Sequence, residues 1–213
     1  MNFTVLDCDQ KSADWYAARL GRLTGSVAVD ITRTVKTGEA ASRRNLRVRL
    51  ALERITGRSQ ESEFMSAAME HGNEFEPKAL AIYEANTGTI LERVGFLSCE
   101  VLMAGCSLDA FVAGRKGIVE AKCPKSATHL EYLRTRKIPN DYYWQCVHNL
   151  WVSGSEWCDF ISYDEAFPEE LQYLCVRLER DEKAIEEYAA LASKFLAEVT
   201  VEVSEIQAMR IAA

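Results

Sequence analysis

The stretch Gly105–Pro124, GCSLDAFVAGRKGIVEAKCP, constrains this chain more than any other. Two short apolar runs flank the loop Ala113-Gly114-Arg115-Lys116-Gly117, whose glycines suit a hairpin turn. Both runs carry charge. Asp109 separates Cys106-Ser107-Leu108 from Ala110-Phe111-Val112, and Glu120 and Lys122 alternate with Val119, Ala121 and Cys123. Side chains alternate along a strand, so Glu120 and Lys122 share one face while Val119 and Ala121 share the other. A turn near Arg115 brings Asp109 beside the Glu120 end of the partner strand. Two carboxylates and an ammonium then converge on a mostly apolar sheet.

Such convergence needs a physical answer. Like unit charges ~4 Å apart repel by about 1 kcal/mol in water and about 4 kcal/mol at an effective dielectric of 20. A divalent cation removes the conflict, and oxygen-only ligands suit Mg²⁺ or Mn²⁺. A surface hairpin with solvated charges or Lys–Glu salt bridges removes it as well. The hairpin alone leaves both readings open.

Composition narrows the classes. The 213 residues are enough for one substantial core, and 48% hydrophobic with 27% charged residues is ordinary for a globular protein. No apolar run approaches the ~18 residues of a membrane span, and no signal peptide is visible, so a cytoplasmic protein is expected. The seven cysteines are scattered and never spaced CxxC, and His71, His129 and His148 form no ligand motif. Disulfides, zinc and iron–sulfur clusters are therefore disfavoured. A net charge of −7 argues against a generic polyanion binder, though not against a local basic patch.

Along the chain, Ser12 or Asp14 caps a short helix through Leu20 that Gly21 ends, and a second helix spans Val27–Thr34. Arg19, Arg22, Thr24 and Ser26 gather at the turn between them. That is either plain capping chemistry or an anion site at a helix N-terminus. A helix over Arg43–Thr56 carries Arg43, Arg47, Arg54 and Arg58 at helical spacing, which reads as a solvated face or as a phosphate track. One helix is expected around Phe64–Met69 and another from Pro77 to a stop at Gly88, with Glu74 and Glu76 at its approach. Strands are expected over Ile90–Cys99, Leu102–Val112 and Gly117–Cys123. A helix follows from Pro139 to Gly154, with Val147, Leu150 and Trp151 buried and Gln145, His148, Asn149 and Val152 on another side. Strands over Trp157–Tyr163 and Leu171–Leu178 and a helix from Asp181 to about Val199 complete the chain. The fold class is α/β, a mixed sheet flanked by helices in the order α-β-β-β-α-β, with extra N-terminal helices and a C-terminal strand and helix. No linker divides residues 1–213, so one domain is expected.

In that order the hairpin matches the D-(x10)-E-x-K pattern of the PD-(D/E)xK nuclease superfamily as Asp109…Glu120-Ala121-Lys122. Within it, the chain resembles the lambda-type and YqaJ-type viral recombination exonucleases. The matching blocks, in family order, are WYAARLGRLTGS (15–26), MEHGNEFEPKALAIYEANTG (69–88), GCSLDAF (105–111), VEAKCP (119–124) and YYWQCVHNLWVSG (142–154). The resemblance implies a restriction-endonuclease-like core in which Asp109, Glu120 and the backbone carbonyl of Ala121 bind Mg²⁺, with Mn²⁺ as substitute. It implies that Glu76 supports a second ion or its water, and that Lys122 orients the attacking water. Gln145 would hold the site, while Arg19, Ser26 and Thr24 would meet the 5′-phosphate. Arg43 and Arg47 are further candidates for DNA contact. Two positions depart from the family: Val147, where a second glutamine is frequent, and Leu108, where a proline often precedes the aspartate.

The expected activity is a 5′→3′ exonuclease on double-stranded DNA ends that releases mononucleotides and leaves 3′ overhangs. The resemblance further implies a homotrimeric ring and a single-strand annealing protein as partner. A structure-specific endonuclease or resolvase on the same core shares every metal ligand and differs in the Arg19–Ser26 block. A catalytically inactive DNA-binding subunit has no reason to keep Asp109, Glu120 and Lys122 together.

Overall fold

The computed structural model describes residues 3–60, 67–99 and 101–211. In chain order it contains β1 (Thr4–Leu6), α1 (Ala13–Arg19), α2 (Ala28–Thr32), α3 (Ala41–Thr56), α4 (Ala67–Thr87), β2 (Leu91–Glu92), β3 (Phe96–Cys99), β4 (Ala104–Cys106), β5 (Ala110–Val112), β6 (Gly117–Lys122), α5 (Ser126–Thr135), α6 (Asn140–Ser153), β7 (Trp157–Tyr163), β8 (Tyr173–Glu179) and α7 (Glu182–Ile211).

The main sheet has the order β2-β5-β6-β7-β8, and its β6–β7 pair is parallel while the others are antiparallel. Parallel neighbours need a crossover connection, and here α5 and α6 supply it. A second sheet of order β1-β3-β4 is antiparallel throughout. Alternation sorts the main sheet's side chains into two layers. Phe111, Ile118, Cys158, Phe160 and Leu174 join the larger core with residues of α3, α6 and α7. Ala110, Val112, Val119, Ala121, Ile161 and Tyr163 face the other way, onto Ala79, Leu80 and Tyr83 of α4. Glu120 therefore falls on the α6 side of the sheet.

The two long strands expected over 90–99 and 102–112 each break in the middle. Their outer halves, β2 and β5, belong to the main sheet, and their inner halves, β3 and β4, belong to the second. The breaks fall at Arg93-Val94-Gly95 and Ser107-Leu108-Asp109, where a side chain takes over from the ladder. Gln10 Nε2 donates to the carbonyls of Val94 at 3.0 Å and Leu108 at 2.7 Å, and Asp109 Oδ2 accepts from the Ala121 N–H at 2.7 Å. Buried backbone groups must be paired, and these bonds let the chain change sheets without orphaning them.

Other expectations also shift. Pro77 does not begin a helix but lies inside α4, which runs through it. A proline there forgoes a helical hydrogen bond at a cost of about 3 kcal/mol. The burial of Ala79, Leu80 and Tyr83 on the sheet offsets that cost. Phe64 lies outside the described residues, and Ala68 and Met69 form part of α4. The second N-terminal helix is shorter than expected, a 3-10 turn over Gly25–Val27 followed by α2. The helix α5 has no counterpart among the expected elements, and α7 extends to Ile211 rather than Val199. No helix among the described residues is long and apolar enough to cross a membrane.

Candidate active site

The β5–β6 register pairs Ala110 with Val119 and Phe111 with Ile118, so one further step sets Asp109 across from Glu120. Glu120 is only 1% exposed, which obliges its carboxylate to find donors. Lys122 Nζ and Gln145 Nε2 both donate to Oε1, the latter at 2.6 Å, and Asn149 Nδ2 donates to Oε2 at 3.0 Å. Gln145 and Asn149 are four residues apart on α6, hence on one helical face. That face looks at β6.

Asp109 is half-buried. Burial first, then the Glu120 charge, push its carboxyl well above the ordinary carboxylate range. Glu76 adds to the rise, and Lys122 and the Ala121 N–H offset only part of it. The Lys122 ammonium is pulled down by burial, but Glu120 and Asp109 outweigh that and hold its pKa above the usual lysine value. Lys122 Nζ also lies 5.0 Å from the Tyr142 ring centroid, an attractive position for a cation. Glu76 sits on the α4 face that carries Ala79, Leu80 and Tyr83, and Oε1 accepts from Arg93 Nη1 at 3.1 Å. The same Arg93 nitrogen donates to the Asp109 carbonyl at 3.1 Å, bridging the two acidic residues.

Glu120 and Asp109 thus both act on a single lysine, with Glu76 felt by Asp109 and Arg93 at the edge. Among the described residues, no three His, Cys, Asp or Glu side chains stand close enough to hold an ion by themselves. Asp109 and Glu120 with the Ala121 carbonyl make a donor set of oxygens alone, and the Glu120 charge adds to burial in raising the Asp109 pKa. Both features fit a hard divalent cation. Glu76, Lys122, Gln145 and Ser26 all line one cleft of about 1070 Å³, together with Tyr142, Asn73 and Lys125.

The N-terminal block lies beside this cleft. Trp15 Nε1 and Arg19 Nη1 both donate to Ser107 Oγ, at 2.8 Å and 3.2 Å, and the Arg19 guanidinium sits 4.2 Å from the Trp15 ring centroid. Thr24 is buried, with Oγ1 3.3 Å from the Oγ of exposed Ser26. Arg19 and Thr24 line a small cavity of about 20 Å³ with Tyr16, Arg22, Arg49 and Glu53. The turn leading into it is pinned from α3. Gly21, at φ +66°, donates its N–H to Glu53 Oε2 at 2.9 Å, and its carbonyl accepts from Arg54 Nε at 2.9 Å.

Arg43 and Arg47 lie elsewhere. Both pair with Glu39, and they reach Glu198 (2.7 Å) and Glu202 (3.5 Å) of α7, so their charge fastens α3 to α7. Val147 is buried in the larger core and does not line the site, while Leu108 is also buried there. The sequence assigns no site role to Asn149, Arg93 or Tyr142. The i, i+4 spacing from Gln145 is the available signal for Asn149.

A family model for the YqaJ-like viral recombinase domain matches residues 14–156. Among solved structures, LHK-Exo in complex with dAMP is 37% identical and aligns at a TM-score of 0.86, covering 94% of this chain and 98% of that one. A second structure, described as an alkaline exonuclease (LHK-Exo) from Laribacter hongkongensis, gives the same identity and coverage with a TM-score of 0.84. A phage-related exonuclease from Haemophilus somnus 129PT shares the fold at 15% identity and a TM-score of 0.67, covering 87% of this chain and 96% of that one. No curated protein matches the chain significantly.

Proposed function

Because the chain belongs to the YqaJ-like viral recombinase domain family, we propose that it is a metal-dependent exonuclease that degrades one strand of linear double-stranded DNA 5′→3′. It releases mononucleotides and leaves 3′ single-stranded overhangs for recombination by strand annealing. The observation that carries this reading is the buried Glu120 carboxylate, across from Asp109 and held by Lys122, Gln145 and Asn149, with Lys122 and Gln145 lining a large cleft.

Asp109, Glu120 and the Ala121 carbonyl are the residues that would hold Mg²⁺ or Mn²⁺, and the ion would supply Lewis acidity at the phosphoryl oxygens and a lowered pKa for water. Lys122 keeps its proton across the physiological range, because Glu120 and Asp109 raise its pKa. Its ammonium orients the attacking water and meets charge that develops on the phosphoryl group. Gln145 and Asn149 stop the Glu120 carboxylate from rotating, and Glu76, steadied by Arg93, lines the cleft. Arg19, Thr24 and Ser26 receive the 5′-phosphate and so select the end of a strand over its interior. The resemblance adds a homotrimeric ring around the duplex, a single-strand annealing protein as partner, and the cytoplasm of a bacterial host as location.

The test compares a linear duplex bearing 5′-phosphates with covalently closed circles, each with Mg²⁺ or with EDTA. Mononucleotide release from the linear substrate alone, abolished by EDTA, is expected. Efficient cutting of closed circles overturns the exonuclease reading in favour of a structure-specific endonuclease, and digestion persisting in EDTA overturns the metal site.

A further inference from the structure

The two oxygens of Glu120 are not held alike. Oε1 accepts from Lys122 and Gln145, whereas Oε2 accepts from Asn149. Only the amide nitrogen of Asn149 can donate to a carboxylate, so its Oδ1 must point away from Glu120. That Oδ1 is buried and finds no hydrogen-bond partner among the described residues. It lies against Gly25, where an added Cβ would come within 2.5 Å of Oδ1 and 3.4 Å of Gln145 Cγ. Gly25 does not have a positive φ, so space rather than backbone conformation excludes a side chain there.

We infer that Asn149 is a positioning residue that ties the Thr24–Ser26 turn to Glu120, so that the turn facing the DNA end sets the orientation of the carboxylate. This rests on the nuclease reading above. The turn and Glu120 are far apart in sequence, and the Asn149 amide fills the gap between them: Nδ2 donates to Oε2, and Oδ1 packs against Gly25 with no hydrogen bond of its own. Partners behind a metal-binding carboxylate tune it by about 10–100-fold in affinity or activity.

The test measures Mn²⁺ binding to the DNA-free protein by calorimetry, kcat and KM on linear duplex, and thermal melting. Asn149→Ala is expected to weaken Mn²⁺ binding and lower kcat by about 10-fold or more, with KM within about twofold of the parent. Asn149→Leu keeps the side-chain volume without the donor, and serves with the same expectation if the alanine variant does not fold. Gly25→Ala is expected to cause the same kind of loss by displacing Asn149. The double variant Gly25→Ala/Asn149→Ala should then be no worse than Asn149→Ala, because the two act through one contact. Parent-like Mn²⁺ affinity in the Asn149 variants overturns the inference, as do losses that multiply in the double variant. Glu120→Ala separates the two readings. If it still digests DNA, the nuclease site is wrong; if it is inactive while the Asn149 variants match the parent, only the coupling is wrong.

Discussion

Asp109 Oδ2 accepts the backbone N–H of Ala121 at 2.7 Å, so the peptide joining Glu120 to Ala121 is fastened to the carboxylate opposite. The bond favours the ionised carboxylate, but burial first and the Glu120 charge second outweigh it and hold the Asp109 carboxyl above the ordinary range. Asp109→Asn keeps an acceptor for Ala121 and removes the charge. The metal-free variant is expected to be more stable than the metal-free parent at neutral pH, because a carboxyl whose pKa is raised on folding costs stability when it ionises. Mg²⁺ should raise the melting temperature of the parent and leave the variant unmoved. Melting curves with and without Mg²⁺ check both halves, and an Asp109→Asn variant less stable than the metal-free parent contradicts the account.

Lys122 is the ammonium in direct contact with Glu120, and its charge is retained against burial. Lys122→Met keeps most of the stem and deletes the charge. A lost transition-state donor lowers kcat by about 10²–10³, and that fall is expected with KM little changed. Single-turnover digestion of end-labelled duplex reads it. A variant that loses DNA binding in step with kcat would instead mark Lys122 as a substrate clamp.

Tyr83 carries the other side of the sheet. Its hydroxyl donates to Asp159 Oδ2 at 2.8 Å, and Arg177 holds both oxygens of that 2% exposed carboxylate at 2.7 Å each. The group anchors α4, and through it Glu76, without lining the cleft. Tyr83→Phe should cost about 1 kcal/mol of stability, the usual size of one hydrogen bond, and should leave kcat within about twofold. Urea unfolding beside a digestion assay separates the two effects.

The hairpin was legible because its information is local: alternation fixes which side chains share a face, and the glycine-rich loop fixes where the chain turns. Asp109 beside Glu120 follows from those two facts, and the structure has them across from each other. The division of the neighbouring strands between two sheets was not legible. It depends on Gln10, whose side chain reaches carbonyls 84 and 98 residues away. Long-range polar contacts leave no periodic trace. Pro77 misled for a related reason, since its local preference for a helix start yielded to the packing of α4 on the sheet. Asn149 stood on the right face of its helix, but nothing within the helix shows that Glu120 lies opposite.

Arg43 and Arg47 recur at helical spacing, a pattern shared by phosphate tracks and by helix–helix ion pairs. Their guanidinium groups meet Glu39, Glu198 and Glu202. Arg43→Ala is expected to lower stability by about 1 kcal/mol, the upper range for partly exposed pairs. The slope of log binding constant against log salt for duplex DNA should stay the same, whereas loss of a phosphate contact reduces it by about 1. Binding titrations at several salt concentrations decide between these.

His148 sets a pH limit on the fold. It is fully buried on α6, where Nε2 donates to the Gly105 carbonyl at 2.9 Å and, in the neutral ring that burial favours, Nδ1 accepts from the Tyr188 hydroxyl at 2.7 Å. Burial lowers its pKa to about 4, and the bond to Gly105 offsets only part of that shift. In the unfolded chain the ring titrates near 6.5. The folded state therefore binds fewer protons between those values, and stability falls as pH drops. The contribution is complete above pH ~6.5 and is lost progressively towards pH ~4, by about 3 kcal/mol over the interval. His148→Gln removes this titration, although it lowers stability at neutral pH by disturbing both hydrogen bonds. Urea unfolding from pH 7.5 to 5, above most carboxylate titration, should show the parent losing about 1 kcal/mol per pH unit more than the variant below pH ~6.5. Parallel curves for the two proteins would place the proton-sensitive group elsewhere.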